Sequence, residues 1–458
     1  MDRPLDPPSA PTLAEATRVW AKIGLLGFGG PVGQIALMHR ELVEQRRWIG
    51  EQRFLHALNY CMLLPGPEAQ QLAIYVGWLL HRTAGGLIAG ALFVLPGALV
   101  MLALSVTYAV YSDAPLVEAA FFGVKAAVLA IVVEAVIRIG RRALRNRAMV
   151  TIAALSFLGI YVLRLPFPVI VLLAALTGWI GARRAPELFR PGGHGSAKDA
   201  PQSRGVVDEM FDRGELAHAE PTLRRALRVL AVGLPVWLGP WAALLLIAGP
   251  HSVWTQIASF FSVMAVVTFG GAYAALAYVA QAAVGVYGWL APGEMADGLG
   301  LAETTPGPLI LVLQFVGFIA AHRAPGALNP LVAGALGALL TSWMTFAPCF
   351  LWIFLGAPFV EALRANVRVA AALSAVTAAV VGVILNLAVW FGLHVVFREV
   401  TPLTIHGIGP DLPVLASIDW RAAALAAAAM AAMLHFKVGM ARTLLACAAC
   451  GLLLVHFV

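Results

Sequence analysis

Leu64-Pro65-Gly66-Pro67-Glu68-Ala69-Gln70-Gln71-Leu72-Ala73 lies inside a hydrophobic run that extends from Phe54 to Leu80. Proline has no amide hydrogen to donate and its ring clashes with the preceding turn, so two prolines flanking a glycine end a helix. The limbs on either side are each too short to cross a hydrocarbon core about 30 Å thick, which takes roughly 20 helical residues. The run therefore reads as a broken or re-entrant helix. Residues 295 to 321 are cut in the same way by Thr305-Pro306-Gly307-Pro308. Irregular backbone at membrane depth survives only where it is buried in protein or lines a water-filled cavity. One such motif is readily a packing kink; a matched pair points to a site.

The match extends well beyond the two interruptions. Phe28-Gly29-Gly30, Trp48 and Pro65-Gly66-Pro67 recur at one unbroken offset as Phe269-Gly270-Gly271, Trp289 and Pro306-Gly307-Pro308. The register then slips by one, with Val76-Gly77-Trp78 answering Val316-Gly317-Phe318. It resumes at Ala114-Pro115, Glu118 and Lys125 against Ala357-Pro358, Glu361 and Arg368. Such self-similarity marks a duplicated unit. The expected organisation is a first repeat over 1–182, a polar cytoplasmic linker over 183–223, and a linking helix plus second repeat over 224–458. Leu223 to Ala248 supplies an extra crossing between the repeats, which would invert the second one. The charges agree with inversion, because Lys and Arg accumulate on the cytoplasmic side. Residues 24 to 115 carry Arg40, Arg46, Arg47, Arg53 and Arg82, whereas 265 to 358 carry Arg323 and are dotted with Glu294, Asp297 and Glu303.

Composition places the whole chain in a bilayer. Hydrophobic residues make up 60% of 458 and charged residues 12%, with a mean hydropathy of +0.84. Soluble domains are about one quarter charged. Stretches such as 85 to 111 and 116 to 137 are long enough to span, 148 to 163 and 166 to 182 read as a short hairpin, and strand-like alternation is absent. The fold class is an all-α polytopic membrane protein with two homologous inverted-topology repeats and broken or re-entrant helices. The formal charge of +7 comes from residues between hydrophobic segments, so it implies orientation rather than a nucleic-acid partner. Met1 to Thr12 lacks the basic start of a secretion signal, and no cleaved signal peptide is expected. The linker, with Pro191-Gly192-Gly193-His194-Gly195-Ser196, holds too few hydrophobes to fold alone and is expected to be mobile. Cys447 and Cys450 have CxxC spacing without neighbouring ligands, and the His residues lack metal spacing, so neither a metal nor another cofactor is expected.

Where a helix restarts after a break, its first amide groups lack partners and its dipole is positive, which attracts an anion. Two restarts from opposed repeats converge naturally near the midplane. The candidate substrate-binding residues are accordingly Phe28, Gly29, Gly30, Pro65, Gly66, Pro67, Gln70 and Gln71 in the first repeat. In the second they are Phe269, Gly270, Gly271, Thr305, Pro306, Gly307 and Pro308. Lys125 and Arg368 join them as equivalent cations at mid-depth, where a charge needs a partner, either a bound dianion or Glu118, Glu361 or Glu134. Gln34, His39, Asn59, Thr304 and Gln314 add polar groups around the breaks. Glu68, at the start of a restarted helix, is a candidate for proton coupling, or else a favourable first-turn carboxylate.

On Gly27-Phe28-Gly29-Gly30-Pro31, Trp48-Ile49, the Leu64 to Ala73 stretch and Thr305-Pro306-Gly307-Pro308, the sequence resembles the chromate ion transporter family in its long, two-domain form. The resemblance covers nearly the whole chain. It implies a multi-pass protein of the bacterial inner membrane that exports chromate at the expense of the proton-motive force and confers chromate resistance, with sulfate as a structural mimic. Moving a dianion out of a negative interior is downhill by about 4.6 kcal/mol per 100 mV, so the potential alone suffices as a drive. Sulfate or another tetrahedral oxyanion is the alternative cargo. A sensor that signals through the linker without transport ranks below it. A chromate-reducing enzyme has neither a cofactor motif nor a credible thiol pair to support it, and a homo-oligomer is left open.

Overall fold

A computed structural model describes residues 10–28, 30–189, 204–216, 222–269, 271–359, 367–403 and 409–456. Gly29, Gly270 and Glu361 lie outside the described residues, as do 190–203 and 217–221 of the linker.

The chain opens with α1 (Leu13–Leu26), capped by the Thr12 hydroxyl, which accepts from the Glu15 amide. After the first glycine break, α2 (Gly30–His39) runs into a π-helical turn over Arg40–Gln45. Then α3 (Glu51–Cys61) leads to the first Pro-Gly-Pro loop, and α4 (Glu68–Tyr111) departs from it. A 44-residue helix does not continue straight here. His81 (φ −135°) and Arg82 (φ 53°) leave helical geometry, and α4 folds back on itself. Gly77 and Gly85 permit the return: a side chain on either would overlap the other's carbonyl. Two spanning helices, α5 (Pro115–Ala143) and, after the hairpin of α6 (Arg147–Tyr161), α7 (Phe167–Arg184), complete the first half.

The short α8 (Pro186–Phe189) and α9 (Val206–Asp212) precede α10 (Leu223–Ala248), the linking helix, whose bounds are those expected. The second half runs α11 (Val253–Val267), α12 (Ala272–Gly285) and α13 (Pro292–Thr304), then through the second Pro-Gly-Pro loop and a 3₁₀ turn at Leu309–Leu311. It continues with α14 (Val312–Arg323), α15 (Pro330–Gly356) and α16 (Val367–Val396). Two three-residue strands, β1 (Val400–Pro402) and β2 (Asp411–Pro413), pair antiparallel before α17 (Trp420–Leu434) and α18 (Met440–His456). Among the described residues, six helices are long and apolar enough to cross a membrane: α4, α5, α7, α10, α15 and α16. The protein is an all-α multi-pass membrane protein. Among the described residues the two strands depart from that class, and the extended segment they form lies between α16 and α17.

Matched segments share local structure. Trp48 and Ile49 both donate their amides to Leu42 O, and Trp289 and Leu290 both donate to Ala283 O. As α4 folds back at Gly77 and Gly85, so α14 and α15 meet where Gly317 abuts Gly337 and Thr341.

Two expectations need correction. The linker was expected to be mobile, but residues 204–216 are docked on the first half. Val206 and Val207 donate their amides to Arg47 O and Trp48 O, and both side chains are buried. The Asp208 carboxylate accepts from the Gly50 and Gly205 amides (both 2.9 Å) and from Arg53 Nε (2.7 Å), while Arg53 lies over the Phe211 ring. Two valines and one well-satisfied carboxylate are enough to hold a segment whose composition is otherwise that of a loop. Asp208→Ala should release α9, costing about 2 kcal/mol locally. Hydrogen exchange of the Val206 and Val207 amides would rise by more than tenfold; unchanged protection would place the anchor elsewhere. The second correction concerns the acidic residues counted as loop charges. Asp297 and Glu303 are buried, 4% and 6% exposed, on α13. They are buried within the protein and do not serve an inside–outside count of exposed charges.

Candidate functional site

The glycines flanking the breaks explain themselves by backbone angle. Gly30 (φ 67°), Gly66 (φ 103°), Gly271 (φ 91°) and Gly307 (φ 92°) all sit in the region that only glycine adopts without strain. They fall into the two matched pairs of the sequence, and the structure crosses them. The Gly66 amide donates to Thr268 O (3.1 Å), just before Phe269 of the opposite half, and the Gly307 amide donates to Gly27 O (3.0 Å), just before Phe28. Each Pro-Gly-Pro loop is thus fastened to the glycine break of the other half. Backbone freed by the prolines at membrane depth finds its partners there.

Buried side chains complete the crossing. Gln34 of α2 donates from Nε2 to both Gly27 O (3.1 Å) and Gly307 O, spanning the halves. Gln71 donates to Pro65 O (2.7 Å), curling the first loop onto α4, and Cys349 of α15 packs against Gly66. Thr305 spends its hydroxyl on Ala302 O (2.9 Å) at the end of α13. Gln314 donates to Ala98 O (2.9 Å) and accepts from Ser342 (3.1 Å), joining α14 to α4 and α15. Pro306 O lies directly on Gly97, where any side chain would overlap it.

Gln70 differs from all of these. It is fully buried in the first turn of α4, yet neither its Oε1 nor its Nε2 has a partner. The Thr268 hydroxyl, buried beside the crossing, also lacks one. Buried polar atoms in native structures nearly always have partners, so these open positions mark where a polar ligand fits. They lie at the start of α4, where unpaired amides and the helix dipole favour negative charge. The two sides of the crossing are not alike. Leu63, Leu64, Pro65 and Gly66 are half-buried, while Thr305 to Leu309 are wholly buried. Access to the crossing is therefore from the side of the first loop. Both carboxylate oxygens of Glu68 lie within 4 Å of where a side chain on Gly271 would begin, so Glu68 faces the first turn of α12. This is a place where carboxylates are stabilised.

The two mid-depth cations are engaged elsewhere. Lys125 Nζ lies 3.5 Å from Asp297 Oδ2 on α13, which replaces the expected partners Glu118 and Glu134. Sequence reading missed this pair because Asp297 had been counted as a loop charge. Arg368 is exposed near the start of α16 with its guanidinium over the Trp179 ring, away from the crossing. His39 bridges Glu51 (2.6 Å) and Glu44 (3.0 Å) at the far end of α2. Glu303 was missed as well; its Oε1 accepts from the Tyr273 hydroxyl (2.9 Å), tying the last turn of α13 to the first turn of α12.

Broken helices whose ends are cross-fastened around unpartnered buried donors form the kind of site that transporters build for small ions. Comparison with known proteins agrees. The chromate transporter family profile matches residues 14–179 and 255–452. The chain belongs to the chromate transporter family. Among curated relatives, a chromate transport protein of Pseudomonas aeruginosa is 35% identical over 369 residues, 79% of this chain and 77% of its own length. One from Cupriavidus metallidurans is 28% identical over 376 residues, 81% of each chain. An uncharacterised transporter of Bacillus subtilis is 31% identical over 166 residues, covering 84% of its own length but 35% of this chain. No solved structure matches. The two family segments leave out 180–254, which holds the docked α9 and the linking helix α10.

Proposed function

We propose that the chain exports chromate across a bacterial inner membrane and so confers chromate resistance, binding the dianion at the crossing of its four breaks. The observation that carries the reading is Gln70, a fully buried amide with both polar atoms unpartnered in the first turn of a restarted helix. Its Nε2 and the Thr268 hydroxyl supply donors, and the first amides of α4 supply more, all without a formal charge that would hold the substrate too tightly to release. Phe28, Gly30, Pro65, Gly66, Pro67, Phe269, Gly271, Thr305, Pro306, Gly307 and Pro308 shape the crossing, and Gln71 holds it by its bond to Pro65 O. Lys125 and Arg368 act in this reading as charges of the surrounding field, not as contacts. Glu68, facing the start of α12, is the nearest carboxylate and the coupling candidate at the crossing itself. When ionised it repels a dianion, and when protonated it does not.

The matched glycine pairs and their reciprocal bonds support two repeats of opposed orientation, whose rocking would expose the crossing to each side in turn. Expulsion of a dianion gains about 4.6 kcal/mol per 100 mV of interior-negative potential, twice the single-charge value. A proton gradient adds to that drive only if a carboxylate carries a proton inward on the return step in exchange for the anion; a proton that leaves with the anion opposes the gradient.

Radiolabelled chromate uptake into inverted membrane vesicles tests the reading. Accumulation should depend on the membrane potential and be competed by excess sulfate. Sulfate flux without chromate movement would keep the site and change the cargo. Binding without flux of either anion would favour a sensor.

A further inference from the structure

Outside the crossing, one buried ion pair carries chemistry that oxyanion binding does not use. Asp297 projects from the first half of α13 with its side chain 5% exposed. Its Oδ2 accepts from the Tyr108 hydroxyl of α4 (2.9 Å) and lies 3.5 Å from Lys125 Nζ of α5. Its Oδ1 is buried with no partner at all. The arrangement is held from several sides. The Tyr108 ring is clamped edge-on by Phe121 (5.3 Å) and by Phe315 of α14 (5.1 Å). A side chain on Gly293 would begin 3.0 Å from Lys125 Nζ, so glycine there leaves room for the ammonium. Lys125 itself is 31% exposed, which gives the pair one path outward.

A buried ion pair is weak evidence for stability, because desolvation offsets the attraction, and an ionisable group inside a membrane protein is a functional candidate by default. One built only for stability would satisfy both carboxylate oxygens. This one leaves Oδ1 open, and the open lone pair is where a proton adds. We propose that Asp297, with Tyr108 and Lys125, is a proton-binding site linked to oxyanion binding. Protonation forms one O–H bond at Oδ1 and breaks one in the hydronium ion that delivers the proton, which becomes water. The carboxylate charge goes from −1 to 0, and the Lys125 charge, previously balanced, becomes available to the field. Asp297 and Thr304, at the edge of the crossing, are separated along α13 by about 10 Å, at 1.5 Å per residue. An unbalanced cation at that distance attracts a dianion without touching it.

The other charged groups on the elements packed against α13 have partners of their own or face outward: on α5, Glu134 pairs with Arg138 at 3.6 Å and Glu118 is exposed, and on α13 itself Glu303 accepts from Tyr273. Glu294 on its own helix is paired with Arg323 of α14 at 2.6 Å. On α16, Arg368 lies over Trp179 and His394 bonds Trp390 O (2.9 Å); on α18, Arg442 is exposed. The group left to respond to Asp297 is Lys125.

The linkage rests on the crossing being an oxyanion site, whereas the protonation itself does not, so two measurements on the purified full-length protein separate them. The first is chromate affinity as a function of pH. Wild type should bind about tenfold more tightly per unit of pH decrease across the titrating range. Asp297→Asn should bind more tightly with a shallower slope, and adding Glu68→Gln, which silences the carboxylate at the crossing, should abolish the slope. Tyr108→Phe, which removes a donor that stabilises the ionised carboxylate, should move the midpoint to higher pH. The second is infrared spectroscopy, where a protonated-carboxyl stretch should grow in wild type as pH falls and be missing from Asp297→Asn. A variant that keeps the wild-type slope, an unmoved midpoint in Tyr108→Phe, or an infrared band unchanged by Asp297→Asn would each overturn the proposal. Loss of chromate binding at every pH in wild type, with the infrared band still assigned to Asp297, would instead overturn the substrate and keep the proton site.

Discussion

Gln70→Leu is expected to raise the thermal midpoint of the empty, detergent-solubilised protein and at the same time abolish chromate uptake. The two signs together make the test sharp. A buried amide with no partner for either end costs about 1–3 kcal/mol of desolvation, and leucine, of similar volume, removes that cost. The same change deletes the donor offered to the substrate. A ligand whose hydrogen bond is withdrawn in a dry site weakens by at least about tenfold, because 1.4 kcal/mol already makes that factor. If Gln70 were merely packing, the substitution would leave transport per folded molecule unchanged. Scanning fluorimetry and vesicle uptake normalised to protein amount read the two effects separately.

The second large effect belongs to Gly97. Pro96 removes one amide from α4 and frees the Leu92 carbonyl, against which Gly24 of α1 packs with no room for a side chain. One residue on, Gly97 receives the Pro306 carbonyl of the opposite half at van der Waals contact. Gly97→Val would drive a branched side chain into that carbonyl. Displacing the loop breaks the Gly307 amide bond to Gly27 O and the Gln34 bridge with it. The expected cost is about 3 kcal/mol, at the upper end of ordinary overpacking, because both clashing groups are backbone. Folded yield and thermal midpoint should fall together. Gly326→Val is the comparison: unlike Gly97 it has positive φ (62°), but it meets nothing within 4 Å, so its loss should be about 1 kcal/mol. Equal losses for the two would mean that the contact between halves contributes little.

Much of this was legible because it is local. Proline and glycine dictate where helices stop, so the breaks at Pro65 and Pro306, the linking helix and the spans could be drawn from residue types alone. What could not be read is which break meets which. Nothing in the segment around Gly66 says that its amide pairs with Thr268, and Gln34 looks like one polar residue among several until it is found spanning the halves. Gln71 was grouped with Gln70, yet one closes a loop and the other stands open; adjacent residues on a helix face about 100° apart, and their surroundings differ accordingly. The failure over Asp297 and Glu303 is of another kind. Acidic residues enter any charge count, but Asp297 and Glu303 fall within the broken run of 295–321, on a helix whose other faces are apolar. An acid flanked by apolar residues deserved weighing as a buried partner for Lys125. Within the linker, residues 204–216 dock although their composition is that of a loop, because composition averages over a segment whereas Val206-Val207 act as a single anchoring point.

The stitches between the halves also set a schedule for synthesis. Gln34 and Gly307 are 273 positions apart. At 5–20 residues per second, the ribosome takes roughly 15 to 55 seconds to make the second of these after the first. Through that interval the Gly27 carbonyl waits without its eventual partner, and the Gly66 amide waits for about 10 to 40 seconds until Thr268 is made. The nascent first half must therefore sit beside water, the insertion machinery or a transient contact that it later gives up. A long pause in translation after α7 would prolong its most vulnerable state, and degradation of newly made protein should rise with the length of that pause.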